Sequence, residues 1–139
     1  MITGSIVALV TPMTDSGDVD WRAFERLIDF HIENGTAALG LVGTTGEAST
    51  LSHTEHKEVI RFGVSHAGGR IPIMAGTGSN STVEAVELTV AAAEAGAGCA
   101  LLVTTYYNRP TQEGLCQNFR AVAEAINLPI MLYNVPSRT

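Results

Sequence analysis

Leu41-Val42-Gly43-Thr44-Thr45-Gly46-Glu47 is the stretch that decides how this 139-residue chain is read. An apolar run from Ala37 to Val42 stops at a glycine, and two threonines, a second glycine and a carboxylate follow. That is a strand emptying into a polar tip. Glycines let the backbone approach a ligand closely and reach positive φ, so the Thr44 and Thr45 amides can face a small anion such as a carboxylate or phosphate. The same residues also suit a plain βα turn, with glycines for geometry and threonines for local capping. The flanking sequence has to separate these two readings.

Downstream, Ser52-His53-Thr54-Glu55 has the form of a capping box opening a helix with Val59, Ile60 and Val64 on one face, stopped by Gly68-Gly69. A strand over Ile71 to Ala75 runs into a second glycine-rich tip, Gly76-Thr77-Gly78-Ser79-Asn80. Ser81-Thr82-Val83-Glu84 reads as another capping box, with Val83, Val86 and Val90 at helical spacing and a stop at Gly96. The next strand, Ala100 to Thr104, ends in Thr105-Tyr106-Tyr107-Asn108-Arg109-Pro110. A helix begins near Thr111, with Leu115, Phe119, Val122 and Ile126 at i, i+4, i+7 and i+11. A last strand, Ile130 to Tyr133, leads into Asn134-Val135-Pro136-Ser137-Arg138-Thr139.

Upstream, Ser5 to Val10 is a strand closed by Thr11-Pro12. Asp20 caps a helix with Phe24, Leu27, Ile28 and His31 at the helical period, ended by Asn34-Gly35. Strand and helix alternate roughly every 30 residues, and the strands are apolar on both faces, which predicts βαβ units around a parallel sheet. Every polar cluster falls at a strand's C-terminal end, the functional edge of such folds. That co-location favours a binding site over a plain turn at Gly43 to Glu47. A complete barrel runs to about 250 residues, so the expectation is the first half of a (β/α)8 TIM barrel, strands one to five with helices one to four, the remainder lying beyond the sequence given. A doubly wound sheet would call for a further helix after the fifth strand.

Bulk composition narrows the ligand. Hydrophobic residues make up 45% and charged residues 16%, with a net charge of −6, which argues against nucleic acid and anionic membrane surfaces. No apolar run approaches the ~20 residues of a membrane span and there is no signal-peptide pattern, so a cytoplasmic protein is expected. Cys99 and Cys116 have no metal-type spacing and read as buried or half-buried free thiols. His53 and His56 stand at i, i+3, but no third metal ligand accompanies them. Tyr107, Tyr133 and Thr44 can pass a proton along hydroxyls if they converge, and Arg138 offers a fork for a carboxylate. Each also has a plainer reading, as strand-end aromatic, surface pair or solvated charge. Lys57, the sole lysine, falls on a predicted helix rather than a strand end and does not suit a Schiff base.

Five motifs in order, Thr3 to Pro12, Gly43 to Glu47, Ile73 to Gly78, Tyr106 to Pro110 and Tyr133 to Thr139, resemble the 4-hydroxy-tetrahydrodipicolinate synthase (dihydrodipicolinate synthase) family of pyruvate-dependent, Schiff-base-forming TIM barrels over the whole chain. The resemblance implies condensation of pyruvate with L-aspartate 4-semialdehyde in lysine biosynthesis by the diaminopimelate route, without cofactor or metal. It implies a proton relay of Thr44, Tyr107 and Tyr133, with Tyr107 reaching a neighbouring subunit's site, and a tetramer built as a dimer of dimers. Thr45 with the Thr44 amide matches the pyruvate carboxylate cradle, and Arg138 the contact to the semialdehyde carboxylate. Ser49, His53, His56, Asn80, Glu84 and Tyr106 fit an allosteric L-lysine site, from which Ala48 departs where a serine is expected. The family's Schiff-base lysine belongs to the strand after Thr139, so these residues alone are expected to be inactive. Competing readings are a neuraminate lyase or other 2-keto-acid aldolase, against which Arg138 speaks, and a non-catalytic half-barrel assembly module.

Overall fold

The computed structural model describes residues 2–137. Five strands, β1 (Ile6–Ala8), β2 (Ala38–Leu41), β3 (Ile73–Gly76), β4 (Cys99–Val103) and β5 (Ile130–Tyr133), alternate with α1 (Trp21–Glu33), α2 (His53–Ala67), α3 (Thr82–Ala95) and α4 (Gln112–Ala125). All four strand pairings are parallel, and the sheet order is β1-β2-β3-β4-β5. A doubly wound sheet reverses direction at a switch point; this one does not. Each helix packs on the next, α1 on α2, α2 on α3 and α3 on α4. The result is an arc of strands backed by an arc of helices, the N-terminal half of a TIM barrel.

Local chemistry sets the helix starts. The Asp20 carboxylate accepts from the Ala23 amide at 2.9 Å. Ser52 and Glu55 form the full reciprocal capping box, and the Thr111 hydroxyl accepts from the Gly114 amide at 3.1 Å. The second predicted box is only half made. Ser81 accepts from the Glu84 amide, but the Glu84 carboxylate turns away to the Ser79 hydroxyl and the His53 ring. Tertiary partners on neighbouring elements outcompete the local bond.

The core lies between α1, α2 and the first strands, with Leu9, Phe24, Ile28, Leu39, Leu41, Val59 and Ile60 all buried. Each such side chain contributes about 1.5–3 kcal/mol on burial. A smaller cluster of Ala85, Leu102 and Val122 sits under α3 and α4. Helix α2 seats closely on β2, because a Cβ on Gly63 would lie 2.3 Å from Leu41 Cδ1.

Three expectations are corrected here. The buried face of α3 is Ala85, Leu88, Thr89 and Ala92; of the valines at helical spacing, Val86 packs against the smaller cluster whereas Val83 is 68% exposed, so Val83 lies off the docking face. Cys116 is exposed on α4 whereas Cys99 is buried. Strand β5 is not buried on both faces: Met131 and Leu132 are exposed, because among the described residues β5 has a neighbour on one side only.

Candidate active site

The C-terminal ends of the strands surround one cavity of about 760 Å³. Thr44 from the β2 tip, Tyr107 from the β4 tip and Tyr133 from the end of β5 line it together. The cavity wall also includes Ser49, His53, His56, Ser79, Glu84 and Tyr106. Thus the three hydroxyls singled out in the sequence share a cavity, and four strand ends with two helix starts supply its surface. Thr45 is exposed and is not part of the wall, and neither is the Asn80 side chain. Asn80 instead fixes the β4 tip by accepting from the Tyr106 amide at 2.8 Å. Arg138 lies outside the described residues.

The geometry of the Gly43 to Glu47 tip differs from the expectation. The left-handed positions are not its glycines but Val42, at φ 52°, and Glu47, at φ 60°. For a β-branched residue this conformation costs energy and persists only where its surroundings enforce it. The glycines provide room instead. A Cβ on Gly76 would lie 2.2 Å from the Val42 carbonyl oxygen, and one on Gly46 would lie 3.0 Å from the Leu9 carbonyl oxygen. Thr11 closes the tip from the other side, its hydroxyl donating to the Gly46 carbonyl at 2.7 Å in a buried bond. Inside the turn, the Glu47 amide donates to the Thr44 carbonyl and the Ala48 amide to the Gly43 carbonyl. Among the described residues the Thr44 and Thr45 amides donate to no protein acceptor, which leaves both donors available to a ligand.

Tyr107 is 96% exposed at φ 71° and Arg109 also has positive φ, at 43°. The Tyr106 to Arg109 segment therefore projects from the sheet rather than folding back onto it. Beneath it, the end of β4 is tied to β5: the Thr104 amide donates to the Tyr133 carbonyl at 2.8 Å, and the Thr104 hydroxyl bonds the Asn134 side chain at 3.1 Å. These contacts set Tyr133 beside β4.

Part of the cavity wall is polar. His53 Nε2 meets Glu84 at 3.1 Å and the Ser79 hydroxyl bonds the other carboxylate oxygen. His56 is 4% exposed, and its Nε2 lies 2.7 Å from the Gly76 carbonyl; a carbonyl only accepts, so the ring donates. Burial holds the His56 pKa below its ordinary value, opposed by the Gly76 bond and reinforced by nearby His53 and Lys57. Neutral His56 with its proton on Nε2 suits this position. The sequence reading missed Ser79, although it sits in the flagged Gly76 to Asn80 tip. It also missed the role of Gly76, whose signal lay only in a distant strand end. Among the described residues no group of three or more His, Cys, Asp or Glu is placed to hold a metal ion, and no helix is long and apolar enough to cross a membrane.

The model of the dihydrodipicolinate synthetase family matches residues 1–139. The chain belongs to the dihydrodipicolinate synthetase family. A 4-hydroxy-tetrahydrodipicolinate synthase of Dechloromonas aromatica is 58% identical over 139 residues, covering 100% of this chain and 48% of that protein. One from Nitrosococcus oceani is 62% identical with the same coverage. Among solved structures, the chloride-inhibited dihydrodipicolinate synthase of Acinetobacter baumannii in complex with pyruvate superposes with a TM-score of 0.97 at 61% identity, over 100% of this chain and 48% of that one. The lysine-bound family member from Cyanidioschyzon merolae gives a TM-score of 0.95 at 44% identity, over 99% and 47%. The chain therefore spans about half the length of the family members it matches.

Proposed function

We propose that this chain forms the N-terminal half of a 4-hydroxy-tetrahydrodipicolinate synthase site, which joins pyruvate to L-aspartate 4-semialdehyde in lysine biosynthesis by the diaminopimelate route. The observation that carries the reading is the shared cavity of Thr44, Tyr107 and Tyr133. In this reading a lysine amine from the rest of the barrel attacks the pyruvate carbonyl, water leaves, and the resulting iminium acidifies the methyl group. The enamine carbon then adds to the aldehyde of the semialdehyde. Phenol and threonine hydroxyls relay the protons these steps release and consume; with an ordinary pKa near 10 a tyrosine serves better as a relay than as a base. Thr45 with the Thr44 amide holds the pyruvate carboxylate, and Arg138 the carboxylate of the aldehyde substrate.

The exposure of Tyr107 supports its service in a neighbouring subunit, within a dimer of dimers. The wall residues Ser49, His53, His56, Glu84 and Tyr106, with Asn80 bracing Tyr106, are proposed as an L-lysine regulatory site in a cytoplasmic enzyme. The lysine-bound relative supports that reading. The remainder of a single TIM-barrel domain is proposed to complete the site.

The test uses a barrel-length protein containing these residues, treated with pyruvate and borohydride and mapped by mass. One pyruvyl adduct is expected on a lysine outside residues 1–139, with Lys57 unmodified. Thr44→Val and Tyr133→Phe should each reduce turnover by about 10²-fold or more, the contribution of a positioned proton-transfer group. An adduct on Lys57, or turnover unchanged in both variants, would overturn the proposal.

A further inference from the structure

Helix α2 contacts the strand ends at two points two turns apart. Gly63 seats against Leu41, the last residue of β2, and His56 donates to the carbonyl of Gly76, the last residue of β3. Gly76 in turn lies under the Val42–Gly43 peptide: a Cβ there would stand 2.2 Å from the Val42 oxygen, 2.7 Å from its carbonyl carbon and 3.0 Å from the Gly43 nitrogen. Val42 holds the left-handed conformation at φ 52°, which a β-branched residue does not adopt unaided. The direction of the Val42–Gly43 peptide sets where Thr44 emerges.

We propose that His56 is a positioning residue for the Thr44-bearing tip, acting through Gly76. Its Nε2 proton holds the Gly76 carbonyl, so the Gly76 Cα stays beneath the Val42–Gly43 peptide and the strained turn keeps one conformation. Because Gly76 has no side chain, the peptide rests directly on the backbone that His56 pins. Movement of the Gly76 carbonyl is thereby transmitted to Gly43 and Thr44 without any side chain between them. A shape-filling side chain lacking a donor cannot reproduce this, whereas a glutamine amide, whose Nε2 carries protons at a similar reach, can. The inference rests on the proposed role of Thr44 only for its catalytic meaning; the geometric claim stands apart from it.

The experiment is ¹⁵N-resolved NMR of the barrel-length protein that contains these residues. In the wild type the His56 ring proton is expected on Nε2. In His56→Phe the backbone amide resonances of Gly43, Thr44 and Thr45 should shift while those of Arg26 and Ile28 in α1 remain in place. In His56→Gln the three tip resonances should return to their wild-type positions. A ring proton on Nδ1 would overturn the proposal outright, a measurement that needs no variant to fold. So would tip resonances unmoved in folded His56→Phe, or left displaced in His56→Gln with the α1 resonances in place. Failure of the synthase reading would show as normal turnover in Thr44→Val and would leave these shifts unchanged.

Discussion

Strands β3 and β5 begin with the same dipeptide, Ile73-Met74 and Ile130-Met131, and face opposite fates. Every residue of β3 is buried, with Met74 at 6% exposure, whereas Met131 in β5 is 40% exposed and Leu132 beside it 58%. Composition does not separate them. Strand β3 is flanked by β2 and β4 and covered by α2, while β5 pairs only with β4 among the described residues. The number of neighbours, not the apolar content of the strand, sets how much a side chain contributes.

That comparison is broken or sharpened by matched substitutions, measured by urea unfolding. Met74→Ala should cost about 3 kcal/mol, the range for deleting a buried methionine side chain, and Met131→Ala no more than about 0.5 kcal/mol. Equal losses would mean that β5 is covered in solution. Gly76→Ala comes next, at about 2 kcal/mol, since its Cβ meets backbone that cannot yield. Gly63→Ala should cost less, because the one close approach of its Cβ is to the end of the Leu41 side chain rather than to backbone; a larger loss at Gly63 would reverse the assignment of Gly76 as the tighter contact.

Capping gives a smaller contrast. Ser52→Ala removes a reciprocal box and should cost about 1 kcal/mol, more than Ser81→Ala, whose partner Glu84 is engaged elsewhere. A comparable loss at both serines would mean that Glu84 contributes to the α3 cap after all. The smallest effect is in pH. Burial lowers the His56 pKa in the folded chain, so the unfolded state binds the proton more tightly. Stability contributed by neutral His56 is then present above its ordinary value of 6.5 and is lost as pH falls below it. His56→Gln should flatten the slope of stability against pH below that value, and an unchanged slope would place the titration at another group.

Much of the fold was legible. The turn signals and helical periods placed all nine elements to within a few residues, and Asp20, Ser52 and Thr111 cap as their chemistry predicts. That Thr44, Tyr107 and Tyr133 would line one cavity was foreseeable, because Thr44 and Tyr107 follow strands, Tyr133 ends one, and the parallel strand ends face one way. What was not legible was the conformation of the tip. Sequence reasoning assigned positive φ to its glycines; the structure places it at Val42 and Glu47 and uses Gly46 and Gly76 for clearance. Likewise the Glu84 carboxylate left its local cap for Ser79 and His53, and α3 buried its alanines rather than Val83.

The sequence by itself determined the alternation of strand and helix, the shared edge of polar tips and the family to which the chain belongs. These depend on local propensity and on the order of motifs, which adjacent residues fix. Only the tertiary structure decided that His56 of α2 bonds the Gly76 carbonyl, that Gly76 lies beneath Val42, and that β3 is buried where β5 is open. Those facts depend on contacts between residues 20 or more apart along the chain, whose geometry no local pattern encodes.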